Sequence, residues 1–251
     1  MTRSAAAARS AKIVEEFIAS FTLGAGQFCT KPGVLLAPAD SGLSSQLAGS
    51  QLPGPAPLLN KKIADGYRQT WGRLTSHPAV TVLAAGDDVR GDAREDAPSP
   101  TVLRTTAAAL LQDLDELFQE RFGPTVLVVE YDAEDELIAV ADAIDGQLAA
   151  SLIAEPDDEI VPELVRRLVP KAGRLLWNQW PTGVSVTHAQ QHGGPYPATT
   201  AAASTSVGTA AIGRFLRPVT YQGFPEQFLP GELHDVSPSA PPRLVDGRWQ
   251  L

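Results

Sequence analysis

Cysteine is nearly absent: Cys29 is the one thiol in 251 residues, so no internal disulfide can form and nothing demands an oxidising compartment. No apolar run approaches the ~18 residues of a bilayer span. The start, MTRSAAAARSAKIVEEF, lacks the apolar centre of a secretory signal. A cytoplasmic protein with no membrane partner is the expectation. Positive charge is also short, with 20 Lys and Arg against 29 Asp and Glu and a net of −9. Nucleic-acid binders need a basic stripe to displace counterions, so that class is excluded. G-x-S-x-G, P-loop and G-x-G-x-x-G runs are missing too. His188-x-x-x-His192 has helical ligand spacing, but Ala189 stands where a zinc protease needs Glu and Gly193-Gly194-Pro195 opposes a helix. No metal is expected there. Asp113, Asp115 and Glu116 read as a solvated helix face.

What is present suits an α/β domain. Apolar residues make up 43 % of the chain and charged residues 20 %, ordinary values for a sequence long enough to bury a sizeable core. Ile13, Val14, Phe17 and Ile18 share one helical face over 12–22. Residues 34–37 and 80–84 read as strands, and 59–75 as a helix. The Ser, Gly and Pro of 41–58 and the acidic run 86–100 read as surface loops. Between 124 and 179 an apolar strand (125–130), a helix (135–144), a strand (149–154), a helix ending near Leu168 with Asp157 as its cap, and a strand (173–178) succeed one another. Such a β-α-β-α-β succession implies a mainly parallel sheet with helical crossovers. The tail is rich in Pro, Gly and aromatics and reads as an extended arm. The predicted division is a disordered start at 1–11, a catalytic domain at 12–214 and an arm with tail at 215–251.

Cys29 lies in Gly24-Ala25-Gly26-Gln27-Phe28-Cys29-Thr30-Lys31-Pro32-Gly33. Two glycines allow a sharp turn before the thiol and Pro-Gly ends the segment quickly, which favours a displayed side chain on a helix–strand connection. A small buried hydrophobe is the competing reading and is favoured for a lone cysteine without context; the Gly and Pro bracketing brings the two about even.

The run FTLGAGQFCTKPG resembles the active-site cysteine segment of the aldehyde dehydrogenase superfamily. Its Gln27-Phe28 pair leans toward the α-ketoglutaric semialdehyde (2,5-dioxopentanoate) dehydrogenases, near the NADP-dependent fatty aldehyde dehydrogenases. Lys31 stands where that group often has Asn. Gln119-Glu120-Arg121-Phe122-Gly123-Pro124 resembles the Glu-x-Phe-Gly-Pro segment of the same family. Three further stretches resemble that family as well: Gly173-Arg-Leu-Leu-Trp-Asn178 on to His188, Gly193-Gly194-Pro195-Tyr196-Pro197, and Thr205 through Val219. The resemblance covers roughly residues 12–248.

The resemblance implies NADP- or NAD-dependent oxidation of a small aldehyde to a carboxylate, with Cys29 as nucleophile. It assigns Glu120 and Phe122 to the nicotinamide ribose and ring, and Phe28, Trp180, His188 and Tyr196 to the substrate. Core or interface packing is an equal alternative for Trp177, Trp180 and Tyr196. It further implies that the dinucleotide-binding domain, a general-base Glu and an Asn oxyanion donor precede the cysteine by more than the 28 residues found here. Glu15 and Glu16 lie on the amphipathic helix and substitute poorly. The expectation is therefore a half-enzyme without its N-terminal dinucleotide-binding domain, nearly inactive alone. It would form homo-oligomers through residues 215–251 or pair with a full-length relative.

Overall fold

The computed structural model describes residues 1–86, 96–234 and 241–250, which form two units, Met1–Ala211 and Ile212–Leu251. The first opens on helix α1 (Arg3–Thr22), whose first turn is capped by the Thr2 hydroxyl accepting from the Ala5 N–H. The predicted disordered start is corrected: Met1, Ala5 and Ala6 are buried with Ile13, Val14, Phe17 and Phe21. Alanine can pack closely against a sheet without producing a legible hydrophobic period. At Arg9 the helix leaves helical geometry (φ −154°, ψ 36°). The Arg9 guanidinium there donates to Glu155 Oε1, the Ala154 carbonyl and Asn178 Oδ1 at 2.8–2.9 Å.

Next come β1 (Val34–Pro38), α2 (Leu43–Ala48), α3 (Lys61–Ser76), β2 (Thr81–Ala85), β3 (Thr101–Thr106), α4 (Ala107–Gln112), α5 (Leu114–Leu117) and β4 (Thr125–Tyr131). After these come α6 (Glu134–Ala143), β5 (Ala150–Leu152), α7 (Val161–Leu168) and β6 (Leu175–Trp177). The predicted loop at 41–58 contains α2, which buries Leu43 and Leu47. Strand β3 is not among the predicted elements, although Val102 and Leu103 are fully buried. Of the acidic loop expected at 86–100, residues 87–95 lie outside the described residues. Asp157 does not cap α7, which begins at Val161 with Ile160 at its N-cap and no side-chain cap.

The main sheet has the order β1-β4-β3-β2, with β4 parallel to both β1 and β3, and β2 antiparallel to β3. It is thus mixed, and the single sheet expected over 124–179 is corrected. Strand β5 does not join the main sheet at either edge strand, β1 or β2, and pairs in parallel with β6 in a separate two-stranded sheet. Alternate residues of β4 enter opposite cores, as period-two side chains must. Leu127, Val129 and Tyr131 pack with Leu110, Leu137, Val140 and Leu164 on one face; Val126 and Val128 pack with Phe17, Phe21 and Leu43 on the other. Burial on both faces suits a central strand of nearly continuous apolar sequence.

The second unit carries short 3₁₀ turns and a hairpin of β7 (Arg243–Val245) and β8 (Arg248–Gln250). Phe215, Leu216, Phe228 and Trp249 are well exposed.

Candidate active site

Cys29 comes after a run of three left-handed residues, Gly24 (φ +57°), Ala25 (φ +55°) and Gly26 (φ +68°), that turns the chain off α1. A side chain at Gly26 is excluded twice over. The backbone angle disfavours it, and a Cβ would stand 2.3 Å from the Gly123 carbonyl oxygen. Gly123 is confined in turn, since its Cβ would fall 2.3 Å from the Tyr67 ring. The Tyr67 hydroxyl bonds Thr125 Oγ1 at 2.6 Å, and burial pushes its pKa up to about 12. The cysteine turn, the Phe122-Gly123-Pro124 segment and α3 are therefore stacked at backbone distance. Gln27 ties the turn down, with Oε1 accepting from the Leu59 N–H at 2.7 Å and Nε2 donating to the Gly24 carbonyl at 3.1 Å.

The thiol is exposed, which decides against the buried-hydrophobe reading, and its Sγ lies 3.4 Å from His192 Nε2. His192 sits in a segment without helix or strand. Its backbone N–H donates to the buried Thr205 hydroxyl at 2.9 Å, and its carbonyl accepts from the Ser206 N–H and Oγ at 2.9 and 3.0 Å. The glycines after it lie flat on the β5–β6 region: a Cβ on Gly173 would meet the Gly193 carbonyl at 2.0 Å, and one on Gly194 the Gln147 carbonyl at 2.5 Å.

One cation, Arg174, interacts with the thiol, and a second, Lys31, follows two residues along the chain. Arg174 donates to the Pro181 carbonyl at 2.7 Å and to the Gly183 carbonyl at 3.2 Å, and burial draws its pKa down while the Cys29 thiolate draws it up. Lys31 donates from Nζ to the Thr125 carbonyl at 2.6 Å. The residue keeps some exposure, but its ammonium is enclosed; desolvation pushes the pKa down to about 8, against the pull of Glu120. A cavity of about 640 Å³ is lined by Cys29, Thr30, Lys31, Glu120, Arg121 and Trp180, among others.

Of the residues singled out from sequence, Cys29, Glu120 and Trp180 share this cavity. The Trp180 ring also packs on Phe17, with centroids 5.0 Å apart. Phe122 is half-buried beside Gly123, and the Phe28 ring covers Gly24. His188 and Tyr196 are exposed and are not among the cavity's lining residues; His188 Nδ1 bonds Thr209 Oγ1 instead. The histidine facing the thiol is His192, which sequence reasoning weighs only as a metal ligand. Among the described residues no group of three His, Cys, Asp or Glu side chains could hold a metal.

The aldehyde dehydrogenase family matches residues 55–202. The α-ketoglutaric semialdehyde dehydrogenase 2 of Azospirillum brasilense is 43 % identical over 253 residues, covering 98 % of this chain and 47 % of that protein. The α-ketoglutaric semialdehyde dehydrogenase of Acinetobacter baylyi is 37 % identical over 247 residues, covering 96 % and 46 %. The chain thus spans about half the length of the curated relatives it matches. Among solved structures, lactaldehyde dehydrogenase from Escherichia coli superposes with a TM-score of 0.65 at 18 % identity, over 84 % of this chain and 44 % of that one. The 3,6-anhydro-L-galactose dehydrogenase in complex with NAP gives 0.63 at 20 %, over 83 % and 44 %. At these identities the likeness is one of fold.

Proposed function

The chain belongs to the aldehyde dehydrogenase family, and from that premise we propose that it carries the thiol side of a site oxidising an aldehyde to a carboxylate with NADP or NAD. The leading substrate is the α-ketoglutaric semialdehyde named in its relatives. The observation that carries this reading is the exposed Cys29 thiol 3.4 Å from His192 Nε2 beside a cavity.

An unprotonated Nε2 accepts the thiol proton, and the thiolate adds to the aldehyde carbon. The adduct oxygen becomes an oxyanion, for which the Cys29 backbone N–H is one donor. A bound nicotinamide supplies the hydride acceptor needed to turn this thiohemiacetal into a thioester. Water then cleaves the thioester, releasing the carboxylate and restoring the thiol, with His192 able to hold the proton. The residues present fit such a cofactor. Glu120 offers an exposed carboxylate in the cavity of Cys29, suited to accept from sugar hydroxyls; Phe122, two residues on, is half-buried and is not among the cavity's lining residues.

The chain by itself is proposed to turn over slowly. The family's carboxylate base is worth about 10²–10⁴-fold and a second oxyanion donor about 10²–10³-fold. The resemblance assigns both to residues ahead of the cysteine turn. NAD(P)H formation from α-ketoglutaric semialdehyde, beside a Cys29→Ala control, tests the reading. A Cys29-dependent rate, however low, supports it; NAD(P)H formation above the protein-free background at equal rates in both chains sinks it. The exposed Phe215, Leu216 and Phe228 favour a second reading, in which the chain pairs with a full-length dehydrogenase. Co-purification with such an enzyme tests that one.

A further inference from the structure

Strand β1 pairs with β4 along one side, and no strand among the described residues lies along its other side. Strand β5 pairs with β6 in the same one-sided way. Yet β1 and β5 border the same two cores. Val34, Leu36, Ala150 and Leu152 pack in the core of Leu137 and Leu164, whereas Leu35 and Ile153 join the core of Phe17. Strands of one sheet divide their side chains in this way.

Met1 and Thr2 show what fits between the two strands. The Met1 nitrogen donates to the Leu36 carbonyl at 3.1 Å, and the Thr2 N–H donates to the Ile153 carbonyl at 2.9 Å. Thr2 is extended, with φ −81° and ψ 163°. Successive N–H groups that bond to opposite neighbours mark a strand lying between two others. The gap is therefore one strand wide. The cavity of about 640 Å³ is lined by both of its walls, Val34 and Leu36 on one side and Ser151 and Leu152 on the other.

We propose that the gap between β1 and β5 is a docking slot for an extended apolar segment of a second polypeptide, which completes one continuous sheet. The segment runs parallel to both strands, as Met1 and Arg3 do: they follow β1 from Leu36 to Asp40, where Arg3 pairs. It is about four residues long, ~13 Å at the rise of a strand. Both of its faces meet a core, so it is apolar throughout, like β4. The rungs alternate. The Gly33 carbonyl accepts from the Leu127 N–H, and the Ala150 N–H donates to the Arg174 carbonyl, so Val34, Leu36, Ser151 and Ile153 turn their backbone groups to the slot. An alkyl chain cannot pair with such groups. The apolar strands of a second copy are committed to its own sheets.

The slot divides the two sides of the thiol contact. Cys29 leads into β1, whereas the glycines after His192 rest on Gly173 and Gln147, beside β5 and β6. A docked strand ties these sides together. Such docking requires no aldehyde chemistry, so it stands or falls apart from the oxidation reading.

Hydrogen exchange in the full chain, resolved to single amides by NMR, tests the slot. A lysine-tagged peptide of about six alternating valine and leucine residues should slow exchange at Leu36, Ser151 and Ile153 about tenfold or more. Leu35 and Leu152, which face β4 and β6, should change far less. The same peptide N-methylated at alternate amides should have no effect, because it keeps its apolar side chains and loses its donors. Leu36→Pro and Ser151→Pro remove donors that face the slot and none from the existing ladders, and should each weaken the protection about tenfold. If either variant fails to fold by circular dichroism, the contrast between the two peptides decides alone. No protection by the peptide, or equal protection by its methylated form, overturns the proposal. Equal protection by 1-decanol would mark an alkyl pocket and overturn it too. So would protection of the same amides in the free chain that is lost on dilution, which would make a second copy the occupant.

Discussion

Cys29 and His192 meet at 3.4 Å, yet the two sides of that contact are built differently. The cysteine side is held by exclusion of volume. Gly26, Gly123 and the Tyr67 ring stack so closely that a methyl group at either glycine collides with its neighbour. The histidine side has no regular element of its own and is held by directional bonds to Thr205 and Ser206, with backbone laid against Gly173. One partner is fixed by what cannot fit and the other by what must be paired, so different substitutions should loosen them.

The harshest way to break the first side is Gly26→Ala. Left-handed strain adds ~1–2 kcal/mol, and the Gly123 backbone cannot yield as a side chain would. A loss of at least about 3 kcal/mol is expected in denaturant unfolding. On the second side, His192→Gln should leave stability nearly unchanged and slow Cys29 alkylation at pH 7 about 10–100-fold, because the proton acceptor is gone. An unchanged rate would assign the imidazole no part in activating the thiol. Thr205→Val sharpens the contrast with a smaller effect. It leaves the His192 N–H without its acceptor, for about 1–2 kcal/mol, and should slow alkylation less than His192→Gln does.

The smallest effect is one of pH. The folded pKa of Lys31 lies near 8, below its ordinary 10.5. Its burial therefore opposes folding fully below pH 8, and that penalty is relieved as pH climbs toward 10.5. Thermal unfolding of the native chain, compared with Lys31→Gln, should show the native chain gaining relative stability from pH 8 to 10, by roughly 1–2 kcal/mol. A flat difference would mean that the ammonium stays solvated.

Much of the cysteine side is legible in the sequence. Glycine and proline announce a turn, and an apolar run such as Thr125–Tyr131 announces a buried strand, because these signals act over a few residues. The histidine side resists such reading. His192 reaches Cys29 across 163 positions through a segment without periodicity, so nothing local marks the pairing. Strand β3 is hidden behind Pro98-Ser-Pro100, and β5 pairs with β6 rather than with the edge strands β1 or β2 of the main sheet. That is a property of topology rather than of any stretch of sequence. The alanines at the start of α1 escape notice because they bury a face without marking a period.

The stack of Gly26, Gly123 and Tyr67 also governs how such a sequence can drift. Its three members come from distant parts of the chain, yet none can grow unless a neighbour shrinks or moves. A methyl group at position 123 becomes admissible only after the aromatic ring at 67 has been traded for something slimmer, and that trade removes the hydroxyl from Thr125. Position 123 is therefore tied to what stands at 67, while position 26 is closed by the backbone of 123 whatever its side chain, so the spacing between α3 and the thiol is inherited as one unit.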